Sequence, residues 1–281
     1  MICTEFYNGQ GLGNQLWLYA VTRVKSLDMK CDFGIMHPEK FKGMNFLNLD
    51  FGRQVFGGRG PEGGPPEHLP IGFSYYFREL KIEHPVKGQD ITGLDPLFNE
   101  IQDFTKIDGN FQSPLYIRHR KSEIRNWFTP ISDSSENQHA SNVCIVNFRG
   151  GEYRHMKSVF LPANYWESAR KIMLDINPKM RFRIVTDDPK LASEFFPKSE
   201  IVLQKMEKDY RAIFAAEYLI LSNSSFGWFP AWLNTTANVI IAPKYWWGFN
   251  NNEYWSTSAI YTEEFSYLDK NAQLEFGSVY Q

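Results

Sequence analysis

The chain has 281 residues, of which 43% are hydrophobic and 22% charged, a balance that suits a folded soluble protein and excludes a disordered one. A formal net charge of −2 supplies no basic field for nucleic acid. Three cysteines without a C-x-x-C spacing exclude a disulfide framework and a structural zinc site.

The length suits two domains, read here as 1–130 and 131–281. Residues 2–7 form a β-branched and aromatic run that predicts a strand. The glycine loop 8–15 follows, and then a helical pattern that places Leu16, Ala20, Val24 and Leu27 on one face, with Trp17 and Val21 beside them. No leader precedes the first strand and no uncharged run approaches membrane-spanning length, which points to the cytoplasm. Residues 57–70 are crowded with Gly and Pro and read as an irregular loop. The segment 107–113 follows a short helical stretch and precedes the apolar residues 115–117. Residues 129–141 are polar and turn-rich, and read as the linker between domains.

Beyond the linker the period is regular. Val143–Phe148 reads as a strand. Residues 164–176 read as a helix, with Asn164 as N-cap and Glu167 closing a capping box. Then come strand Arg181–Thr186, helix 189–196, strand 200–204, helix 210–216, strand 218–221, helix 225–233 and strand 238–242. This alternation predicts a parallel doubly wound sheet.

Three polar clusters directly follow strands in this half: Asn147 to Tyr153, Thr186-Asp187-Asp188, and Ser222-Asn223-Ser224-Ser225. In an open parallel sheet the carboxyl-end loops share one edge, so clusters distant in sequence meet in space. Their contents suit a nucleoside diphosphate. Arg149 offers a fork for phosphate oxygens, and Gly150 and Gly151 let backbone approach closely. Ser224 and Ser225 open a helix whose N-terminal N–H groups favour an anion. Asp187 or Asp188 can accept hydrogen bonds from a base or ribose. Plainer readings stand beside these: Ser224 or Ser225 as a helix cap, Arg149 as a surface ion pair, and Asp-Asp-Pro as a turn. The pattern Gly9-x-Gly11 has Asn14 where a dinucleotide motif needs its last glycine, which disfavours NAD. No Asp-x-Asp occurs, so a metal-bridged diphosphate is not indicated. The late aromatics Tyr245, Trp246, Trp247, Phe249, Tyr254 and Trp255 suit a core or a sugar-stacking surface.

With these residues in view, the chain resembles the inverting α-1,2-fucosyltransferases of glycosyltransferase family 11, and more distantly the α-1,6 and protein O-fucosyltransferases. Gly11-Leu12-Gly13-Asn14-Gln15-Leu16, with Tyr19-Ala20, is similar to the family's opening. Asp108-Gly109-Asn110-Phe111-Gln112-Ser113 matches its second segment. Ser222 to Trp228, with Ala231-Trp232-Leu233, and residues 239–246 match its C-terminal part. The resemblance implies an α/β fold of GT-B type, with two Rossmann-like domains facing across a cleft. It implies no metal and no cofactor, a nucleotide-sugar donor (GDP-fucose) and a glycan acceptor. Residues and resemblance together give Arg149 and Glu152 as catalytic. They give Gly11, Gly13, Asn14, Asn147, Asp187, Asp188, Ser222, Asn223, Ser224 and Ser225 as donor-binding.

One departure concerns the basic motif, His-x-Arg-Arg-Gly-Asp-Tyr in the family. The aligned residues are Asn147, Phe148, Arg149, Gly150, Gly151, Glu152 and Tyr153. Loss of the second arginine weakens leaving-group stabilisation unless Arg154, Lys157 or another cation replaces it. The expected chemistry is one in-line displacement at the anomeric carbon, with Glu152 as base and His155 behind it. The altered motif also leaves open a different donor, such as a UDP-pentose. A glycan-binding protein without catalysis is the reading from another class.

Overall fold

The computed structural model describes residues 1–58, 67–79, 82–83, 90–91, 94–131, 141–251 and 261–276. Most of the expected loop 57–70 and linker 129–141 lies outside the described residues, as do Tyr254 and Trp255. The chain divides into two compact units, Met1–Ile131 and Ser132–Gln281.

The first unit runs β1 (Ile2–Glu5), α1 (Leu12–Asp28), β2 (Phe33–Met36), β3 (Tyr75–Arg78), β4 (Ile82–Glu83), β5 (Asp90–Ile91), β6 (Thr105–Asp108) and α2 (Lys121–Phe128). Its main sheet is parallel throughout, in the order β2-β1-β6-β3. β1 is entirely buried, as its β-branched and apolar residues require. On α1, Leu16, Ala20 and Val24 are buried, whereas Leu27 in the last turn is 41% exposed. The chain leaves that turn through Lys30, whose φ is 53°. The short helical stretch expected before residue 107 is the 3-10 turn Pro96–Glu100, capped by Asp95.

The second unit runs β7 (Val143–Phe148), α3 (Ala163–Ile176), β8 (Arg181–Thr186), α4 (Pro189–Phe195), β9 (Glu200–Val202), α5 (Met206–Phe214), β10 (Tyr218–Ile220), α6 (Ser225–Trp232), β11 (Val239–Pro243), β12 (Ser266–Leu268) and β13 (Leu274–Phe276). Its sheet has seven strands in the order β13-β12-β11-β10-β7-β8-β9. Counted within the unit, the parallel strands lie 3-2-1-4-5-6, the Rossmann arrangement. Among the described strands of this sheet only β13, at the edge, is antiparallel. All six residues of β7 are buried, as befits a central strand covered on both faces. Cys144, Val146 and Phe148 pack with Tyr165, Trp166, Ala169 and Met173 of α3.

Two local readings change. α3 starts at Ala163 with Pro162 before it, and Asn164 does not cap it; its amide donates to the carbonyl of Lys270 instead. Proline suits that entry because its ring fixes φ and it has no N–H to leave unpaired. α5 begins four residues earlier than expected, with Glu207 and Asp209 in its first turn, where carboxylates complement the helix dipole. Trp246 and Phe249 are buried, which makes them core rather than sugar platform. Both units are α/β, as the sequence pattern predicts. Among the described residues no helix is long and apolar enough to cross a membrane.

Candidate functional site

The direction of winding in the second unit reverses between β7 and β10, which pair side by side. Ligands of open parallel sheets bind outside the carboxyl ends of such a strand pair. Asn147, near the end of β7, is buried there, and its side-chain oxygen accepts the hydroxyl of Ser222 at 3.0 Å. The backbone N–H of Ser222 donates to the Asn147 carbonyl at 3.0 Å, so the two strand ends are tied twice. Gly227 on α6 permits this: a Cβ there would lie 2.7 Å from the Asn147 side-chain oxygen.

A pocket of about 320 Å³ opens at this edge. Asn147, Phe148 and Arg149 line it from β7, Val185, Thr186 and Asp187 from β8, and Ser224 and Phe226 from the start of α6. Leu203 and Gln204 from the β9–α5 connection and Met206 and Asp209 from the first turn of α5 close it. Three separate polar clusters therefore converge on one cavity.

Arg149 is held from several directions. One terminal nitrogen lies 2.6 Å from Asp187 and the other 3.4 Å from Glu152. The guanidinium carbon sits 5.5 Å from the Tyr153 ring centroid, within cation–π range. Its Nε is buried and has no hydrogen-bond partner among the described residues. The buried Tyr153 hydroxyl is pushed up to about 12, chiefly by burial and against the pull of Arg149, and it hydrogen-bonds Ser224. Tyr153 thus joins Arg149 to the start of α6. Ser224 is the N-cap of that helix and accepts the Phe226 N–H at 3.4 Å.

The other expected donor-binding residues fall into two groups. Ser222 and Asn223 are buried; the Asn223 amide donates to the Val159 carbonyl at 2.9 Å. Ser225 is half-buried and outside the pocket lining. Asp187 accepts the Gly150 N–H at 2.9 Å besides binding Arg149. Asp188 caps α4 through the Leu191 N–H and pairs with Arg154 at 3.2 Å. Arg154 therefore answers Asp188 rather than the pocket, and Lys157 is exposed. Glu152, 72% exposed, lies outside the lining. Arg154 also donates to His155 at 3.1 Å. Among the described residues no group of three or more His, Cys, Asp or Glu side chains is placed to hold a metal ion.

Asp209 was missed in the sequence. Burial raises its carboxyl from an ordinary 3.8 to about 7, with the charge of Asp187 adding and a hydrogen bond from Gln204 opposing. A lone aspartate in a helical pattern carries no signal of this, because its neighbours arrive from β8 and from the β9–α5 connection.

Gly11, Gly13 and Asn14 belong to the first unit. Gly11 precedes α1 with room for a side chain, and Gly13 is buried in the first turn. Asn14 accepts the Gln112 amide at 2.9 Å, which links the glycine loop to the segment after β6. That segment is pinned by buried Glu79, which accepts the Asn110 and Phe111 N–H groups at 2.8 and 2.6 Å. Gly109 allows the close approach, since a Cβ there would sit 2.5 Å from that of Glu79.

No protein-family profile matches the chain. It is 26% identical over 172 residues to the O-antigen biosynthesis glycosyltransferase WbnK of Escherichia coli, covering 55% of this chain and 56% of that protein. It is 29% identical over 159 residues to an α-1,2-colitosyltransferase of Escherichia coli, covering 49% of this chain and 54% of that one. The chain thus matches about half the length of these curated relatives. The crystal structure of NodZ α-1,6-fucosyltransferase soaked with GDP-fucose superposes with a TM-score of 0.49 at 13% identity, over 86% of this chain and 94% of that one.

Proposed function

We propose that the chain is a glycosyltransferase that moves L-fucose from GDP-fucose to a glycan hydroxyl, with α-1,2 linkage, inversion and no metal. The observation that carries the reading is the meeting of Arg149 and the α6 N-terminus around one pocket at the β7/β10 reversal. The activities named for the two relatives, O-antigen glycosyl transfer and α-1,2-colitosyl transfer, support the class.

In this scheme the diphosphate lies against Arg149 and the first N–H groups of α6. Negative charge grows on it as the sugar leaves, and donors already fixed in place stabilise that charge. The unpartnered Nε of Arg149 supplies one such donor. Glu152, held by Arg149 and open to solvent, accepts the proton of the acceptor hydroxyl.

A second reading keeps the chemistry and changes the sugar to colitose, which the second relative favours. Incubation with GDP-fucose, nucleotide-activated colitose and UDP-xylose, with glycan acceptors, separates the readings by released nucleoside diphosphate. Turnover with the first supports the proposal. The absence of turnover with all three, together with no thermal shift from GDP or UDP, would leave a glycan-binding protein instead.

A further inference from the structure

β11 pairs with β10 on the side away from β7, so the ends of β7 and β11 flank the start of α6. Trp246 and Trp247 follow the end of β11. Trp246 is 1% exposed and belongs to the core. Trp247 is half-buried, and its ring centroid lies 5.7 Å from that of Tyr153 at an interplanar angle of 50°. Its place there is fixed. Trp247 and Phe160 pack on Tyr153 and Val159. Asn250, in the 3-10 turn Phe249–Asn251, donates to the carbonyls of Lys157 and Phe160 at 2.8 and 2.9 Å, and Asn223 takes the intervening Val159 carbonyl. The stretch that begins with Arg149 and Tyr153 is thereby fastened to the segment after β11.

Arg149 and Ser224, the phosphate-seeking groups, both meet Tyr153. From them the pocket extends toward β8 and β9, where Val185, Leu203 and Met206 line it. In sheet order Trp247 lies the other way, toward β11. A nucleotide sugar carries one group on each side of its diphosphate. With one of them in the pocket, the other falls on the β11 side, as does any saccharide that approaches it. The chemistry there suits a sugar. A pyranose has an apolar C–H face that complements the negative face of an aromatic ring, and hydroxyls around its rim. Exposed groups able to meet hydroxyls lie beside Tyr153 in the chain: Glu152, 72% exposed, and His155.

We propose that Trp247 is a saccharide-contact residue, its indole taking the C–H face of a pyranose next to the diphosphate. This rests on the donor-pocket reading above. It separates Trp247 from its neighbour Trp246, which serves the core. The transferred sugar and the acceptor sugar offer the same surface, and the two are told apart by measurement.

The test is calorimetric titration of the full chain and of Trp247→Ala and Trp247→Phe with GDP and with GDP-fucose, together with GDP release from GDP-fucose at increasing lactose. Trp247→Ala should bind GDP as the unaltered chain does, which also shows that the variant keeps its pocket. Where the transferred sugar lies on the indole, GDP-fucose affinity should fall roughly 5- to 10-fold, the scale of a lost aromatic contact. Where the acceptor does, GDP-fucose binding should hold and the KM for lactose should rise by that factor. Trp247→Phe, which keeps a ring, should recover most of the loss in either case. Equal weakening of GDP and GDP-fucose would mean that Trp247 only braces Tyr153, and would overturn the proposal, as would unchanged values for all three ligands. Where lactose supports no turnover, unchanged GDP-fucose affinity alone overturns it. If the unaltered chain bound neither GDP nor GDP-fucose, the donor-pocket reading would fall first, and this inference with it.

Discussion

A terminal nitrogen of Arg149 lies 2.6 Å from the carboxylate of Asp187, so the end of β7 and the end of β8 are joined by an ion pair at the pocket wall. Both partners are partly exposed, and pairs of this kind add little to stability. A diphosphate can share or take over the guanidinium at small cost. Arg149→Ala should therefore lower kcat by about two to three orders of magnitude or more, the scale of a lost charge-stabilising donor. Its melting curve should shift by no more than about 1 kcal/mol. Turnover assays and thermal melts on the same preparation check both halves, and full activity would remove Arg149 from the mechanism.

Gly150 stands where the resembled family carries a second arginine. The structure gives a reason for glycine: a Cβ at 150 would lie 2.6 Å from the Cβ of Asp188 and 3.2 Å from a Leu191 methyl. Asp188 cannot retreat freely, because it caps α4 and pairs with Arg154. Gly150→Arg should therefore destabilise the chain, by about 1–3 kcal/mol as for other overpacked sites, without tightening donor binding. A denaturation series with a GDP titration measures both; a tighter and equally stable variant would show that the missing cation is a simple loss.

Ser224 caps α6 and also faces the pocket. These roles separate by substitution, because glycine replaces a serine cap at a few tenths of a kcal/mol while alanine costs about 1 kcal/mol. Ser224→Gly should melt close to the unaltered chain and Ser224→Ala below it. Both should raise the donor KM alike, since both remove the hydroxyl. Donor binding that followed the stability ranking instead would mean that Ser224 acts only through the helix.

Much of the second unit was legible because its strands are short apolar runs and helices such as α3 and α5 are amphipathic. Val143–Phe148 and Arg181–Thr186 follow from that pattern with their observed ends. Convergence at the sheet edge was also legible, because parallel alternation puts every carboxyl-end loop on one side. What pattern could not show was which polar residues are spent internally. Ser222 reads like Ser224, yet it is buried with its hydroxyl given to Asn147, and the Asn223 amide N–H is likewise given to the Val159 carbonyl. Asp209 and Glu79 were invisible for the converse reason, since their partners come from distant segments. The resemblance marked Gly109 to Gln112, but only the structure supplies the carboxylate that holds them.

Glu79 makes the first unit sensitive to pH. It is buried, and burial raises its carboxyl from an ordinary 4.5 to about 7, although the Phe111 and Asn110 N–H groups and the Tyr116 hydroxyl pull the other way. The folded chain therefore holds this proton more tightly than the unfolded chain does. Stability falls with pH wherever the native state binds more protons, so the contribution of Glu79 is fully present below about 4.5 and is lost as pH rises to about 7. Glu79→Gln cannot ionise, and its amide can still accept the two N–H groups and meet Tyr116. Hydrogen exchange at the Asn110 and Phe111 amides should show protection that declines between pH 5 and 7.5 in the unaltered chain, once the intrinsic pH dependence of exchange is removed, and stays level in Glu79→Gln. Parallel profiles would mean that the carboxyl titrates near its ordinary value and that the loop beside Asn14 is held independently of its charge.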